Sequence, residues 1–113
     1  MSAISPRLFV LQRATALLLA PLVIGHLIMI VIAIKGGLDS AEILGRTRGS
    51  ILWALFYGLF VVAVAIHASI GVRVIASEWF DIRSEQSQRA VMWSTLIVLL
   101  STGAYAVFAV TAS

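Results

Sequence analysis

The chain contains no cysteine, which excludes disulfides, thiolate metal sites and iron–sulfur ligation by its own side chains. Charge is also scarce. Asp, Glu, Lys and Arg make up 12% of the 113 residues, about half the ~25% of a soluble domain. The formal net charge is +3. The basic residues behind it are scattered rather than clustered, which removes the basic patch that nucleic-acid binding needs. Long tails, linkers and internal repeats are missing too.

Hydrophobic sequence fills the space. Apolar residues make up 61% of the chain, and the mean hydropathy is +1.07; this composition is that of a membrane protein. Three apolar runs cover about 8–34, 51–76 and 90–112, each at or above the ~20 residues needed to cross a bilayer core. Gln12, Arg13 and Pro21 interrupt the first. That run is too long for a signal peptide and lacks a small-residue cleavage site after a short core, so it is expected to be kept as a spanning helix. The connections 35–50 and 77–89 are polar and carry turn and cap residues. Gly36-Gly37 ends the first helix, and Asp39-Ser40 is expected to cap a short interfacial turn. The expected fold is all-α, one domain over 1–113, an antiparallel bundle of three transmembrane helices. Arg7, Arg13, Arg83 and Arg89 fall on the N-terminal side, and Lys35, Arg46 and Arg48 on the other. That excess of one residue predicts a cytoplasmic N-terminus. Small residues (Gly58, Ala63, Ala65, Ala68, Gly103, Ala104) suit close helix packing, within the chain and against another membrane subunit.

His67 lies inside the second run. An ionisable side chain at bilayer depth is costly and points to function, and neutral imidazole suits an axial bond to haem iron. Gly71, one turn later on the same face, leaves room for a flat macrocycle. At about 100° per residue, His67 shares a stripe with Phe60, Ala63, Gly71, Val74 and Glu78. Glu78 then falls about 16 Å further along the axis, near the interface. Arg73 lies on another side, where snorkelling and contact with a cofactor carboxylate are equally weighted readings. Arg13, one turn inside the first helix, is expected at the depth of Glu78, to pair with it or with a haem propionate. His26, ~20 Å beyond Arg13, has two readings: a ligand to a haem of its own, or a packed polar residue hydrogen-bonded to a neighbour. The second is slightly favoured. Pro21 is expected to kink the path between them. Trp53, Tyr57, Trp79, Trp93 and Tyr105 lie mostly near helix ends, as an interfacial aromatic belt. Trp79 directly follows Glu78, and its indole N–H is a donor suited to a quinone carbonyl.

The stretch His67-Ala-Ser-Ile-Gly71-Val-Arg73, followed by Glu78-Trp79, resembles the second-helix signature of the cytochrome b membrane-anchor subunits of succinate dehydrogenase and fumarate reductase. Leu11-Gln12-Arg13-Ala14-Thr15-Ala16 resembles the start of the first helix in the smaller hydrophobic anchor subunit. The likeness covers nearly the whole chain. It implies one half of a six-helix anchor in the cell's inner (cytoplasmic) membrane, non-catalytic alone, within a succinate:quinone oxidoreductase (respiratory complex II of the tricarboxylic acid cycle) or a related fumarate reductase. The implied partners are a flavoprotein, an iron–sulfur protein and a second anchor. The implied cofactor is a haem b between the anchors with one axial His from each, and the implied electron acceptor is ubiquinone or menaquinone. Carried over, His67 would be the axial ligand to the haem iron and Arg13 a propionate contact. Gly71, Arg73 and His26 would lie around the haem, and Glu78 and Trp79 at the quinone.

Three features depart from the pattern. The family acid is usually Asp, and Glu78 keeps its role with a longer reach. The family Tyr is replaced by Trp79, whose indole donates a hydrogen bond but does not readily exchange its proton. His26 is extra, and would suit a two-haem anchor whose other ligands come from a partner or a second copy of this chain. The alternatives are a haemless or di-haem anchor of a related dicarboxylate oxidoreductase, or a small accessory membrane protein using His26 and His67 as a proton relay. Three helices without an inverted repeat argue against the last.

Overall fold

A computed structural model describes residues 4–112. Four helices account for most of them: α1 (Pro6–Lys35), α2 (Ser40–Thr47), α3 (Ile51–Trp79) and α4 (Glu85–Thr111). Each begins where the sequence supplies a cap. The Ser5 hydroxyl accepts from Leu8 N–H at 3.3 Å, with Pro6 in the first turn. Asp39 accepts from Ala41, Ser50 from Trp53 and Ser84 from Ser87. Each such cap is worth about 1 kcal/mol. α1 ends at Gly36, and the chain reverses through Gly37 at φ +86°, a left-handed conformation that glycine adopts without strain.

The long helices outrun the expected spans. They cover 6–35, 51–79 and 85–111 rather than 8–34, 51–76 and 90–112. The apolar run marks the part that fits hydrocarbon, whereas the caps that end each helix sit in the polar flanks. The expected interfacial turn is an eight-residue helix, α2. The three long helices have the length and composition to cross a membrane. At ~1.5 Å per residue each exceeds a ~30 Å hydrocarbon core, so their ends reach the headgroups.

α3 is central, with α1 and α4 packed along it and only marginal contact between them. The expected antiparallel bundle of three long helices is present, arranged around α3. Both pairings are antiparallel. On one seam Thr15 meets His67 and Gly25 meets Phe56; on the other, Gly103 meets Val61 and Arg73 meets Glu85. A Cβ on Gly103 would lie 2.5 Å from Val61 Cγ1, so the missing side chain is what brings α4 this close. α2 is tied to the end of α4 by Thr47 Oγ1, which donates to Val110 O at 2.7 Å. The apolar core is small: Leu19, Leu22 and Ala63, with Phe56, Phe60 and Val64 around them. Only 6–11% of each apolar span is buried within the chain. Most of its surface therefore needs lipid or another membrane protein as cover.

Candidate functional site

On the α1–α3 seam, His67 is half-buried and its Nδ1 approaches two oxygens of α1. Gln12 O lies at 3.2 Å and Thr15 Oγ1 at 3.3 Å. A carbonyl oxygen only accepts, so the Nδ1 side carries the proton and donates it. Nε2 is left with the lone pair, and it makes no hydrogen bond among the described residues. This tautomer is the one a metal-binding imidazole adopts when its second nitrogen is held by a backbone carbonyl.

Gly71 belongs to the same seam. The Gln12 side-chain amide lies 3.5 Å from where a Cβ would be, an ordinary van der Waals distance. Part of the space in front of Gly71 is thus filled by α1, and the chain's own packing would accept alanine there. The stripe through Ala63, His67 and Gly71 faces α1 rather than standing fully open.

The register of the seam changes two expectations. It places Arg13 about level with Ser69, one short step from His67, and about nine residues or ~13 Å from Glu78 along the axis. Arg13 and Glu78 are not at one depth and do not pair. Arg13 is exposed, with its guanidinium carbon 5.1 Å from the centre of the Phe9 ring. Arg73 neither snorkels nor stands free. It is 5% exposed, and its Nη2 donates to both carboxylate oxygens of Glu85 at 3.0 Å, while Nη1 lies 4.0 Å from Met92 Sδ. This clamp fastens α3 to the first turn of α4.

Below the clamp, the α3–α4 turn is set from beneath. Buried Gln88 donates to Ile82 O at 3.0 Å, and Ile82 N–H donates to Ala76 O at 3.1 Å. Asp81, at φ +54°, pairs with Arg83. Glu78 and Trp79 are the last residues of α3 and both are exposed, with Trp79 and its neighbour Phe80 presenting large apolar faces. Glu85 and Gln88 were not singled out in the sequence. The available signal was an Arg late in one helix facing an acid early in the next, a common geometry for an antiparallel pair.

His26 belongs to another level. Its ring meets Phe60 edge-on at 4.9 Å and Tyr57 at 6.2 Å. It makes no hydrogen bond among the described residues, so ring contacts replace the hydrogen bond expected of it. It lines a cavity of about 470 Å³ between α1, α3 and α4, with Tyr57, Thr47 and Thr102 among the walls. Phe60 is seven residues, ~10 Å, from His67 along α3. The two histidines therefore do not form one site within this chain.

The family described as succinate dehydrogenase/fumarate reductase transmembrane subunit matches residues 4–107. No curated protein and no solved structure matches the chain. With three helices long and apolar enough to span a membrane and a match over nearly its whole length, the chain belongs to the succinate dehydrogenase/fumarate reductase transmembrane-subunit family, as a multi-pass membrane subunit of such a complex.

Proposed function

We propose that the chain is a haem-binding anchor that helps form the quinone site of its complex, on the path of electrons between an iron–sulfur subunit and quinone. The observation that carries this reading is the His67 ring, whose Nδ1–H is taken by Gln12 O and whose Nε2 is left as a free donor atom. The donor set suits a b-type haem: a neutral imidazole within a membrane span, a side-chain-free position one turn away at Gly71, and an exposed cation, Arg13, close in level. Such a haem, when bound, supplies a one-electron store.

The remaining roles belong to this chain's residues. His67 Nε2 would ligate the iron, and a second axial ligand would come from another anchor subunit or a second copy. Arg13 would pair with a propionate, since its guanidinium has no carboxylate partner among the ion pairs of the described residues. Arg73 would hold α4 in place through Glu85 rather than touch the cofactor. Glu78 and Trp79, at the exposed end of α3, would give a quinone one acceptor and one donor, with ubiquinone and menaquinone equally suited. This end of the helices would face the iron–sulfur and flavoprotein subunits on the cytoplasmic side of the inner membrane. The chain itself performs no chemistry; it binds, orients and excludes water.

Pyridine haemochrome quantitation on the complex purified through a tag on this chain tests the reading. A b-type signal is expected, at one haem per copy or per two copies. Co-purifying flavin and iron–sulfur subunits without haem would overturn it.

A further inference from the structure

We propose that Thr15 is a positioning residue for His67: its hydroxyl oxygen is a second acceptor for the Nδ1–H, and it fixes the ring plane and raises the basicity of Nε2. This rests on the reading of His67 as a haem ligand and adds to it a residue from the facing helix.

Thr15 is 6% exposed, at the centre of the seam. Its hydroxyl has one proton and two nearby carbonyls to receive it, Leu11 O and Gln12 O, both at 2.9 Å. These contacts are shorter than the 3.3 Å to His67 Nδ1, so the proton stays on the α1 backbone, the usual back-bond of threonine within a helix. What faces His67 is then a lone pair. Nδ1–H has two acceptors, Gln12 O at 3.2 Å and Thr15 Oγ1 at 3.3 Å, in a three-centre bond. One acceptor leaves the imidazole free to swing about its χ2; two, from residues one turn apart, set its plane. The back-bond also fixes the Thr15 rotamer, so the acceptor is in place before any ligand arrives. Acceptors on the remote nitrogen make a ligating imidazole more basic, and their loss typically costs 10–100-fold in metal affinity or activity.

A more basic ligand favours the ferric over the ferrous ion. Removing the Thr15 acceptor with the isosteric Thr15→Val should therefore raise the haem midpoint potential. A tenfold change in relative affinity for the two oxidation states corresponds to about 59 mV for one electron, and the shift is expected to be of that size or smaller because Gln12 O remains.

The test is a potentiometric titration of the haem in the intact complex, with low-temperature electron paramagnetic resonance of the ferric form. Thr15→Val should give an upward shift and an altered ferric signal at near-normal haem content, and Thr15→Ser should restore both. If Thr15→Val does not assemble, Thr15→Ala, which lacks the same acceptor, is read against Thr15→Ser in the same way. An unmoved potential and signal would overturn the role of Thr15 alone, as would a serine variant that fails to restore them. A haemless wild-type complex, or haem retained in His67→Ala, would overturn the ligand reading and this role with it.

Discussion

The two membrane histidines occupy the same seam, both half-buried, yet their surroundings differ in kind. His67 is held by oxygen: a carbonyl and a hydroxyl of α1 fix which nitrogen carries the proton. His26 is held by ring edges, Phe60 and Tyr57, and nothing among the described residues selects its tautomer. Burial therefore does not separate the two histidines. The acceptor on the second nitrogen does, and on the proposed reading that matters because a metal needs one defined lone pair. The rest of each end follows suit. Toward the N-terminal side lie the Arg73–Glu85 clamp and the Gln88-braced turn. On the other lies an apolar cavity capped by α2.

Four sets of substitutions probe this contrast, in falling order of effect. Glu85→Ala leaves the buried Arg73 guanidinium without its carboxylate. It should lower the stability of the assembled complex by about 2–3 kcal/mol, the worth of hydrogen bonds to a charged group, read as thermal retention in detergent. Stability equal to wild type would show that the clamp adds nothing. At the cavity end, Gly103→Ala forces a methyl onto Val61 and should cost about 2 kcal/mol by overpacking. Adding Val61→Ala should recover part of that loss, and a purely additive double mutant would deny the contact. Glu78→Ala or Trp79→Ala should each slow quinone reduction about tenfold, near 1.4 kcal/mol, with succinate oxidation by an artificial acceptor unchanged. Full quinone reductase activity in both would remove the site from this end. His26→Leu should leave haem content and spectrum as they are; a halved haem-to-chain ratio would make the two histidines equivalent after all.

Much of this was legible in the residues. Hydropathy placed three spans, and the stretch from His67 to Trp79 carried the resemblance to the family. Helix ends were misplaced because Ser5 and Ser84, which cap α1 and α4, lie outside the apolar runs. α2 was missed as a helix because its eight amphipathic residues make only two turns, too short for a periodicity to stand out, although its cap, Asp39, was seen. The relation of Arg13 to Glu78 depends on the register between two helices, which no single-helix periodicity contains. The pairing Thr15–His67 sets that register and moves Arg13 about two and a half turns from Glu78. Arg73 was found but its partner was not, because Glu85 lies beyond a turn whose geometry decides whether the two meet. The Gly71 gap was read as space, and the structure puts the Gln12 amide in part of it.

On the proposed reading, one histidine, selected by its hydrogen bonds, carries the cofactor. The most direct test is the dithionite-reduced minus oxidised visible spectrum of the His67→Ala complex, purified through this chain alongside wild type. The b-type difference signal should disappear in the variant while the soluble subunits still co-purify. A signal of wild-type size and position in His67→Ala would contradict it.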